Sequence, residues 1–583
     1  KVSRFLPAEV SNAPWNDGAI NSADSYDSES TTVLAENSIN WQPRFTNPAH
    51  FLQLQGSFQI ITGNSTSQGM AVTNLPSGDI VDASAYGYPT GISSSRYAYR
   101  SNALTFRSHY TYKNRYILGA TFRRDGSTKF GEKYKYGNFP GISAKWIISD
   151  ENFMQSTKNW LSMLAIRPSW GITGNQPTEE YLHFSRYSPY GSYIDMPATR
   201  PTTLRLADLR WEKSTSFNFG FDLGFFKDRL VFDINFYNKR TEDLLFSNLS
   251  VPSSSGFSSV PVQNVGTMDN NGWEMNFYSS RAIKRNDFSV DFNFNLSNYV
   301  NTIVELRDDI LANYNADYDY TNGTYLSRIQ EGNSYGSIYG FRYKGVYQYN
   351  KYIPGVQENA PVARDENGYV FTDEEGTPLP MYFAYGRSNE YQFRGGDAIY
   401  EDINKDGSID ELDIVYLVNS NPKINGGFGS TIRYKNLSVT AFFNFRYGSK
   451  IVNMARMNAE NMYYLNNQSV SVNWRWRKDG DVTEMPRALY NYGYNWLGSD
   501  RYVEDGSFLR MKYLTFNYSI PKAKLERYKL QQVSFYLTIN NLFVLTKYTG
   551  VDPEVGYGSF GVSTDNSPTP RSKDATLGIS VTF

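Results

Sequence analysis

The chain of 583 residues contains no cysteine and only three histidines, His50, His109 and His183. The absence of cysteine excludes disulfides, thiol catalysis and cysteine-bound metal centres. Three scattered histidines do not predict a histidine-rich metal centre, and their positions give no credible Ser–His–Asp triad. The sequence therefore predicts no catalytic residues, and we expect that the protein is not an enzyme.

The chain also lacks an excess of charge of either sign, and it lacks long apolar runs. The 57 Lys and Arg residues and the 58 Asp and Glu residues give a net charge of −1. Without a basic excess, no nucleic-acid partner is expected. No apolar run reaches the roughly 18 residues of a membrane-spanning helix. The chain opens KVSRFLPAEV, which lacks the basic and apolar regions of a signal peptide, so we expect a mature or internal segment.

Aromatic residues are abundant, and they alternate with polar ones. Tyr, Phe and Trp make up 16% of the chain, whereas charged residues make up 20%. Residues 288–297 read FSVDFNFNLS, so that successive side chains change between apolar and polar. Only an extended strand separates such residues onto two faces. The same alternation at 217–223, 232–236, 437–445 and 533–539 predicts strands with one apolar and one hydrophilic face.

The pattern predicts about 15 strands, whose linkers alternate between short and long. The strands are predicted near 34–44, 51–60, 98–112, 115–124, 139–148, 163–174, 213–224, 230–240, 271–281, 286–298, 427–435, 437–447, 508–519, 532–544 and 575–583. The long linkers cover roughly 61–97, 175–212, 241–270, 299–426, 448–507 and 545–574.

The strict alternation of short and long connections favours a transmembrane β-barrel over a soluble β-sandwich. The predicted fold is all-β: a large antiparallel transmembrane β-barrel with short periplasmic turns and long extracellular loops. A soluble β-sandwich shows the same residue alternation but has no reason to keep this parity of connections. Complete bacterial barrels have an even number of strands. An odd count predicts that the chain begins in an extracellular loop and is part of a barrel.

Several segments resemble the SusC/RagA-type TonB-dependent transporters of Bacteroidota. The clearest is RRDGSTKFGEKYKYGNF at 123–139, and NVGTMDNNGWEM at 264–275 is similar to a glycine-containing stretch of the family. Further similar segments lie at 160–176, 209–245, 336–348, 396–413, 503–522 and 540–555. The matches run in family order from about residue 100 to residue 583, and the first 90 residues resemble the family only loosely.

The resemblance implies a barrel of about 22 strands. Residues 1–583 would be the C-terminal part of that barrel, with a long extracellular loop at about 299–426. The N-terminal plug, the TonB-contacting segment and the first strands are expected to be absent from this chain.

The resemblance also implies the function. The expected activity is TonB-dependent import of a large nutrient, an oligosaccharide or a peptide, across the bacterial outer membrane. The implied partners are a SusD-like surface lipoprotein that acts as a lid, TonB–ExbB–ExbD acting through the missing N-terminal region, and outer-membrane lipid. One alternative is a structural or docking barrel within a larger outer-membrane complex, without transport of its own. Another is a soluble β-rich glycan-binding protein.

One loop has the residue spacing of a calcium site. In DINKDGSIDELD, the residues at positions 1, 3, 5, 7, 9 and 12 are Asp402, Asn404, Asp406, Ser408, Asp410 and Asp413. Glycine at position 6 permits the sharp turn, and Ile409 is expected to pack inward. The spacing predicts bound Ca²⁺ (or Mg²⁺) that stiffens the loop. An acidic turn without an ion remains the alternative.

Aromatic residues in the long linkers are candidates for ligand contact. They are Tyr187, Tyr190, Tyr193, Tyr463, Tyr464, Tyr490, Tyr492, Tyr494 and Trp496. Their rings could stack on sugars or peptides. They could equally belong to the aromatic girdles that a barrel places at the lipid interface.

Overall fold

The computed structural model describes residues 2–7, 20–77, 79, 82–83, 87–193, 196–251, 253–257, 259–307, 324–325, 328–385, 389–556 and 561–583. Helices in this part are short. The α-helices are Met454–Glu460 and Lys522–Leu525. The 3₁₀ helices are Glu132–Tyr134, Ile148–Asp150, Asn152–Thr157, Ser253–Ser255, Glu411–Asp413, Val470–Trp474, Asp500–Tyr502 and Glu526–Tyr528. Among the described residues, no helix has both the length and the apolar character needed to cross a membrane.

Among the described residues, eighteen strands belong to one main sheet. They are Val2–Leu6, Ser22–Trp41, His50–Thr73, Tyr88–Tyr112, Tyr116–Ser127, Tyr136–Ile147, Leu161–Asn175, Glu212–Phe225, Leu230–Glu242, Thr267–Ser279, Ile283–Arg285, Phe288–Glu305, Ile424–Tyr434, Leu437–Tyr447, Phe508–Ser519, Gln532–Asn540, Val544–Thr546 and Asp574–Thr582.

The remaining strands form small sheets within the long connections. The two-stranded sheets are Tyr187–Tyr193 with Met196–Pro201, Leu245–Ser250 with Ser259–Asn264, Ser337–Gly340 with Val415–Asn419, Tyr343–Val346 with Ala398–Tyr400, and Lys450–Val452 with Val503–Asp505. A three-stranded sheet joins Tyr382–Tyr385, Asn389–Gln392 and Ser408–Ile409.

Each of the 15 predicted segments coincides with a strand of the main sheet, so their positions are confirmed. The predicted count of about 15 is too low, because the sheet also contains the short strands Val2–Leu6, Ile283–Arg285 and Val544–Thr546. Three strands are much longer than predicted: Ser22–Trp41, His50–Thr73 and Tyr88–Tyr112 have 20, 24 and 25 residues. Their unpredicted parts are rich in Ser, Thr and Gly and are polar on both faces. Backbone pairing continues through them, as in Ser28 opposite Ser67 and Ser67 opposite Ser95. Alternation cannot reveal a strand whose two faces are alike.

The chain divides into two compact units. The first unit comprises residues 1–146, 168–217 and 241–265. In it, consecutive strands from Ser22–Trp41 to Tyr136–Ile147 pair antiparallel, each with the next in the chain. The second unit comprises residues 147–167, 218–240 and 266–583. In it, Phe288–Glu305, Ile424–Tyr434, Leu437–Tyr447, Phe508–Ser519, Gln532–Asn540 and Asp574–Thr582 pair antiparallel in that order.

The apolar faces of the strands are uncovered. In the first unit, Phe106 lies opposite Phe122 on the adjacent strand, and they are 54% and 39% exposed. Leu118 and Ile142, on the same face by alternation, are 51% and 58% exposed. A soluble sandwich would bury these side chains between two sheets. Exposure of the whole apolar face is what a strand in contact with lipid requires.

Close strand pairing in the second unit depends on glycine at residue 426. This residue pairs with Leu296 on one side and with Phe445 on the other. A Cβ atom at Gly426 would lie 2.1 Å from the backbone oxygen of Asn295. The strand Ile424–Tyr434 therefore approaches its neighbour more closely than any other residue type allows.

We predict that Gly426→Ala reduces the folded fraction of the protein, because the added methyl group meets backbone that cannot move independently. The expected destabilisation is about 1–3 kcal/mol. It is measured as the loss of resistance to unfolding in SDS during stepwise heating. Gly91→Ala is the matched control, since the nearest atom to its added Cβ is 4.0 Å away. Equal heat resistance of the two variants would contradict the prediction.

Candidate functional site

The two longest connections fold together. We call residues 328–385, 389–419 and 448–507 the loop lobe. The backbone N–H of Phe341 donates to the carbonyl of Gly498 over 2.9 Å, which ties the first connection to the second. The principal hydrophobic core of the loop lobe consists of Tyr339, Phe341, Tyr347, Met381, Phe383, Tyr391, Phe393, Ala398, Tyr400, Ile409, Ile414 and Leu497. The described parts of the predicted long linkers 299–426 and 448–507 are therefore largely packed structure and not open loops.

A buried carboxylate fastens the two parts of the loop lobe to each other. Asp397 is fully buried, and Arg487 donates to it from Nε over 2.6 Å and from Nη2 over 3.0 Å. The hydroxyl of Tyr391 donates to the same carboxylate over 2.8 Å, and Asn495 Nδ2 donates over 3.2 Å. Burial raises the pKa of Tyr391, and the neighbouring charge of Asp397 acts in the same direction, so the hydroxyl remains a donor. All these groups are occupied in holding the lobe together.

A second charged cluster fixes the helix Met454–Glu460. Glu460 accepts from Arg456 Nε over 3.0 Å and from Arg501 Nη2 over 3.4 Å. Arg456 also donates to Glu504 over 3.2 Å, and Arg501 donates to the Tyr343 hydroxyl over 2.8 Å. Burial raises the pKa of Tyr343 to about 12. The charged groups of this cluster pair with one another, so the cluster stabilises the fold of the lobe.

The predicted calcium loop lies in the loop lobe, and its geometry is that of a hydrogen-bonded turn. Asp402 accepts from the backbone N–H of Lys405 over 2.7 Å and of Gly407 over 2.9 Å. Asp406 accepts from the N–H and the hydroxyl of Ser408 over 2.9 and 2.8 Å. Gly407 has φ +90°, as expected for the glycine at position 6. The turn therefore closes on its own backbone.

The other carboxylates of this loop are used in the same way. Asp413 accepts from Ile403 N over 2.6 Å and from Asp410 N over 2.9 Å. Burial, reinforced by the charges of Asp402 and Asp410, raises the pKa of Asp413 to about 6. In the part of the chain that the structure describes, no three His, Asp or Glu side chains converge into a cluster that could hold a metal ion. Binding of Ca²⁺ by Asp402, Asn404, Asp406, Ser408, Asp410 and Asp413 stays a prediction, and the predicted inward packing of Ile409 is confirmed by its 1% exposure.

If the loop binds Ca²⁺, then adding the ion should protect it from proteolysis, because an ion would neutralise carboxylates that now lie close together. The test compares protease resistance and calcium content of the wild-type protein with those of the Asp402→Ala, Asp406→Ala double variant, with Ca²⁺ and with EGTA. Asp373→Ala is the control, since Asp373 caps a separate acidic turn in the same lobe. A wild-type protein that responds to Ca²⁺ no more than the double variant would reject the site.

Three of the predicted aromatic candidates in the loop lobe are exposed. Tyr464, Tyr490 and Tyr492 are 43%, 59% and 58% exposed. The N–H of Asn491 donates to the carbonyl of Tyr463 over 3.0 Å, which brings the two tyrosine-bearing segments together. These three rings are available to a ligand or a partner.

The other aromatic candidates in the lobe pack inward. Trp496 is 1% exposed and belongs to a core cluster with Met457. Tyr463 packs against the same cluster, and Tyr494 stacks on Phe383 with ring centroids 3.9 Å apart. In this structure, these side chains stabilise the lobe and do not offer a free face.

The candidates in the first unit lie on a surface hairpin, Tyr187–Tyr193 with Met196–Pro201. Tyr187 is 67% exposed, and Tyr190 is 58% exposed with the guanidinium of Arg200 4.3 Å from its ring centroid. The side chain of Tyr193 lies outside the described residues. Two of the three rings are therefore available on this hairpin.

Sequence reasoning missed an exposed apolar group on the loop lobe. Leu465, Val470, Trp474 and Val482 are 85%, 77%, 77% and 82% exposed. The hydroxyl of Thr483 donates to the carbonyl of Trp474 over 2.6 Å, which places Val482 beside Trp474. Exposed apolar side chains that lie side by side, as Trp474 and Val482 do, are typical of interaction surfaces. The sequence did contain a signal for these side chains, because they are apolar residues in a polar linker and do not belong to any alternating strand pattern.

A family model described as "TonB dependent receptor-like, beta-barrel" matches residues 7–375. The match therefore includes residues 7–90, where the sequence motifs resemble the family only loosely. The chain is 30% identical over 505 residues to TonB-dependent receptor P39 of Formosa agariphila, covering 85% of this chain and 47% of that protein. It is 27% identical over 505 residues to TonB-dependent receptor SusC of Bacteroides thetaiotaomicron, covering 84% and 44%. The chain thus spans about half the length of the curated relatives it matches.

The fold is shared with a solved transporter structure. The structure of the RagAB peptide transporter matches with a TM-score of 0.78 at 23% identity, covering 100% of this chain and 58% of that chain. The RagAB peptide importer in its closed-closed state matches with a TM-score of 0.79 at 22% identity, with the same coverage. Together with the family model, these matches confirm the predicted fold class, an all-β antiparallel outer-membrane barrel.

Proposed function

Because the chain belongs to the TonB-dependent receptor family of outer-membrane β-barrels, we propose that it forms barrel wall and surface loops of a transporter that imports a large nutrient with energy from TonB. The match to residues 7–375 is the observation that carries this proposal. The exposed apolar faces of the strands support it, since they fit a lipid surround. Members of this family are transporters and not enzymes, in line with a sequence that predicts no catalytic set.

The proposed cargo is an oligosaccharide or a peptide, too large for passive diffusion through a porin. Transport needs a polar path, and the polar faces of the strands provide one by alternation. The exposed rings Tyr464, Tyr490 and Tyr492 would meet the cargo or a partner above the strands. TonB, ExbB and ExbD would act through the plug and the TonB-contacting segment, which we propose lie on residues that precede this chain in the whole protein.

We also propose that a SusD-like surface lipoprotein covers the loop lobe. The exposed side chains Leu465, Trp474 and Val482 support this, because a partner would remove them from water. The lobe is rigidly built around Asp397 and Arg487, so it can present this surface in a fixed shape. A lid of this kind would hold the cargo while the path opens below.

Import is tested in cells that carry the complete protein. We expect uptake of a fluorescently labelled oligosaccharide or peptide nutrient to require both this protein and TonB, and to stop when the proton-motive force is collapsed. Surface binding of the same nutrient should persist without TonB, because binding precedes the energised step. If the protein co-purifies with outer-membrane partners while uptake is independent of TonB, then the docking-subunit alternative replaces this proposal.

A further inference from the structure

A cleft of about 890 Å³ lies in the first unit, between the edge of strand Tyr88–Tyr112 and neighbouring loops. Four segments line it: 98–100, 128–135, 181–184 and 205–208. Its cations outnumber its acids, although the whole chain has a net charge of −1. The cations are Arg100, Lys133, Lys135 and Arg205, and the acids are Glu132 and Asp208.

Most of the positive charge in the cleft is not neutralised. Lys133 reaches Asp208 over 4.0 Å, and both side chains are largely exposed. No carboxylate of the described residues forms an ion pair with the side chain of Arg100, Lys135 or Arg205. Cations left unpaired around a concave surface favour an anionic ligand.

A histidine in the wall of the cleft has an unused polar atom. Nδ1 of His183 is buried and has no hydrogen-bond partner among the described residues. Burial lowers the pKa of His183; an interaction with the backbone of Lys129 opposes this shift, and the charges of Arg205 and Lys135 reinforce it. A buried polar atom without a partner is unusual in a native structure, and a ligand group entering the cleft would satisfy it.

Aromatic side chains share the cleft with the cations. Tyr99, Tyr181 and Phe184 line it, and Phe184 is 54% exposed next to the His183 ring, with centroids 4.0 Å apart. Phe130 also borders the cleft, but it is buried against Trp211. Apolar ring faces combined with a few polar groups are typical of small-ligand sites. Rings can stack on the faces of sugar units while the cations engage acidic substituents.

The cleft is poorly suited to an extended peptide. The N–H and the carbonyl of Ala98 are both bonded to the Tyr181 hydroxyl, over 2.9 and 2.7 Å. The N–H and the carbonyl of Arg100 are both bonded to the Thr128 hydroxyl, over 3.0 and 3.2 Å. Peptides that add to a sheet need such edge groups free. The hydroxyls of Tyr181 and Thr128 already occupy the backbone groups of this strand edge. A ligand must therefore be recognised by the charged side chains and the aromatic rings.

We propose that this cleft binds the acidic groups, carboxylate or sulfate, of an anionic oligosaccharide. The unpaired Lys135 and Arg205 would hold the acidic oxygens, and the rings would stack on the sugar. The proposal rests on the function proposed above, and it gives the imported nutrient a chemical class.

The test uses the complete transporter, purified with its partners in detergent, and isothermal titration calorimetry. Three sugar probes are compared: a tetramer of galacturonic acid, its carboxyl-reduced neutral counterpart, and a sulfated galactose tetrasaccharide. We expect at least one acidic sugar to bind about tenfold or more tightly than the neutral one. We expect the Lys135→Gln, Arg205→Gln double variant to abolish that preference and to leave binding of the neutral sugar within about twofold.

Arg44→Gln is the matched control, because Arg44 is exposed in the short turn before strand His50–Thr73, away from the cleft lining. It should keep the preference for the acidic sugar. Equal binding of acidic and neutral sugars by the wild-type protein, or equal loss of both in the double variant, would overturn the proposal. So would binding of a hexaglutamate peptide as tight as that of the acidic sugars. TonB-dependent uptake that persists without any preference for acidic sugars would reject this inference alone and leave the proposed function standing.

Discussion

Replacing Asp397 by alanine is expected to open the loop lobe and to abolish the import proposed above. The carboxylate is fully buried and is the only partner that offsets the charge of Arg487 in the described part of the lobe. Removing one member of a buried ion pair leaves the other charge uncompensated, at a cost of about 3–5 kcal/mol. The hydroxyl of Tyr391 and the amide of Asn495 would lose their acceptor as well. Limited proteolysis of the complete protein should then cut within 328–385 and 448–507, where the wild type resists.

Glu374→Ala controls for the loss of a carboxylate, because Glu374 lies exposed in a turn of the same lobe. It should leave the proteolysis pattern and import unchanged. The Asp397→Ala, Arg487→Ala double variant should lose less stability than the sum of the single changes, since the two side chains contact each other. Strictly additive losses, or a protease-resistant Asp397→Ala protein, would show that the ion pair does not hold the lobe.

The main sheet could be predicted because lipid and water impose opposite demands on neighbouring residues of one strand. The segment from Phe288 onward alternates for that reason, and the strand Phe288–Glu305 follows it closely. The extension of His50–Thr73 beyond residue 60 has polar residues on both faces, so the alternation carries no signal there. Backbone pairing with Ser22–Trp41 and Tyr88–Tyr112 makes it a strand.

The loop lobe could not be predicted from the sequence, since its contacts join residues far apart in the chain. The N–H of Ala398 donates to the side chain of Asn495, 97 residues away, over 2.9 Å. Its strands are two to five residues long, too short for a periodic pattern. The same limit affected the aromatic candidates. Nothing in the local sequence distinguishes Tyr490, which is exposed, from Trp496, which is buried in the core.

Replacing Arg510 by methionine is expected to detach the last long connection, 545–574, from strand Phe508–Ser519. Arg510 is 4% exposed; its Nη2 lies 2.6 Å from the carboxylate of Asp552, and its Nε lies 2.5 Å from that of Glu554. Methionine keeps much of the side-chain volume but removes the charge, so Asp552 would remain buried without its counterion. The expected loss is about 3–5 kcal/mol, measured as a fall in the thermal unfolding midpoint and as new protease cuts in 545–574.

The loss of stability in Arg510→Met depends on the burial of the ion pair. A second arginine, which is charged but exposed, distinguishes the effect of burial from that of charge. Arg433 also pairs with a carboxylate, Asp291, but its side chain is 49% exposed, so Arg433→Met should cost no more than about 1 kcal/mol. Salt should weaken the exposed pair and leave the buried one nearly unchanged, because screening acts through solvent. Equal, salt-sensitive losses in the two variants would mean that the Arg510 pair is solvated in the working protein. The connection would then be held by the packing of Tyr548 and Val555 against Ile451.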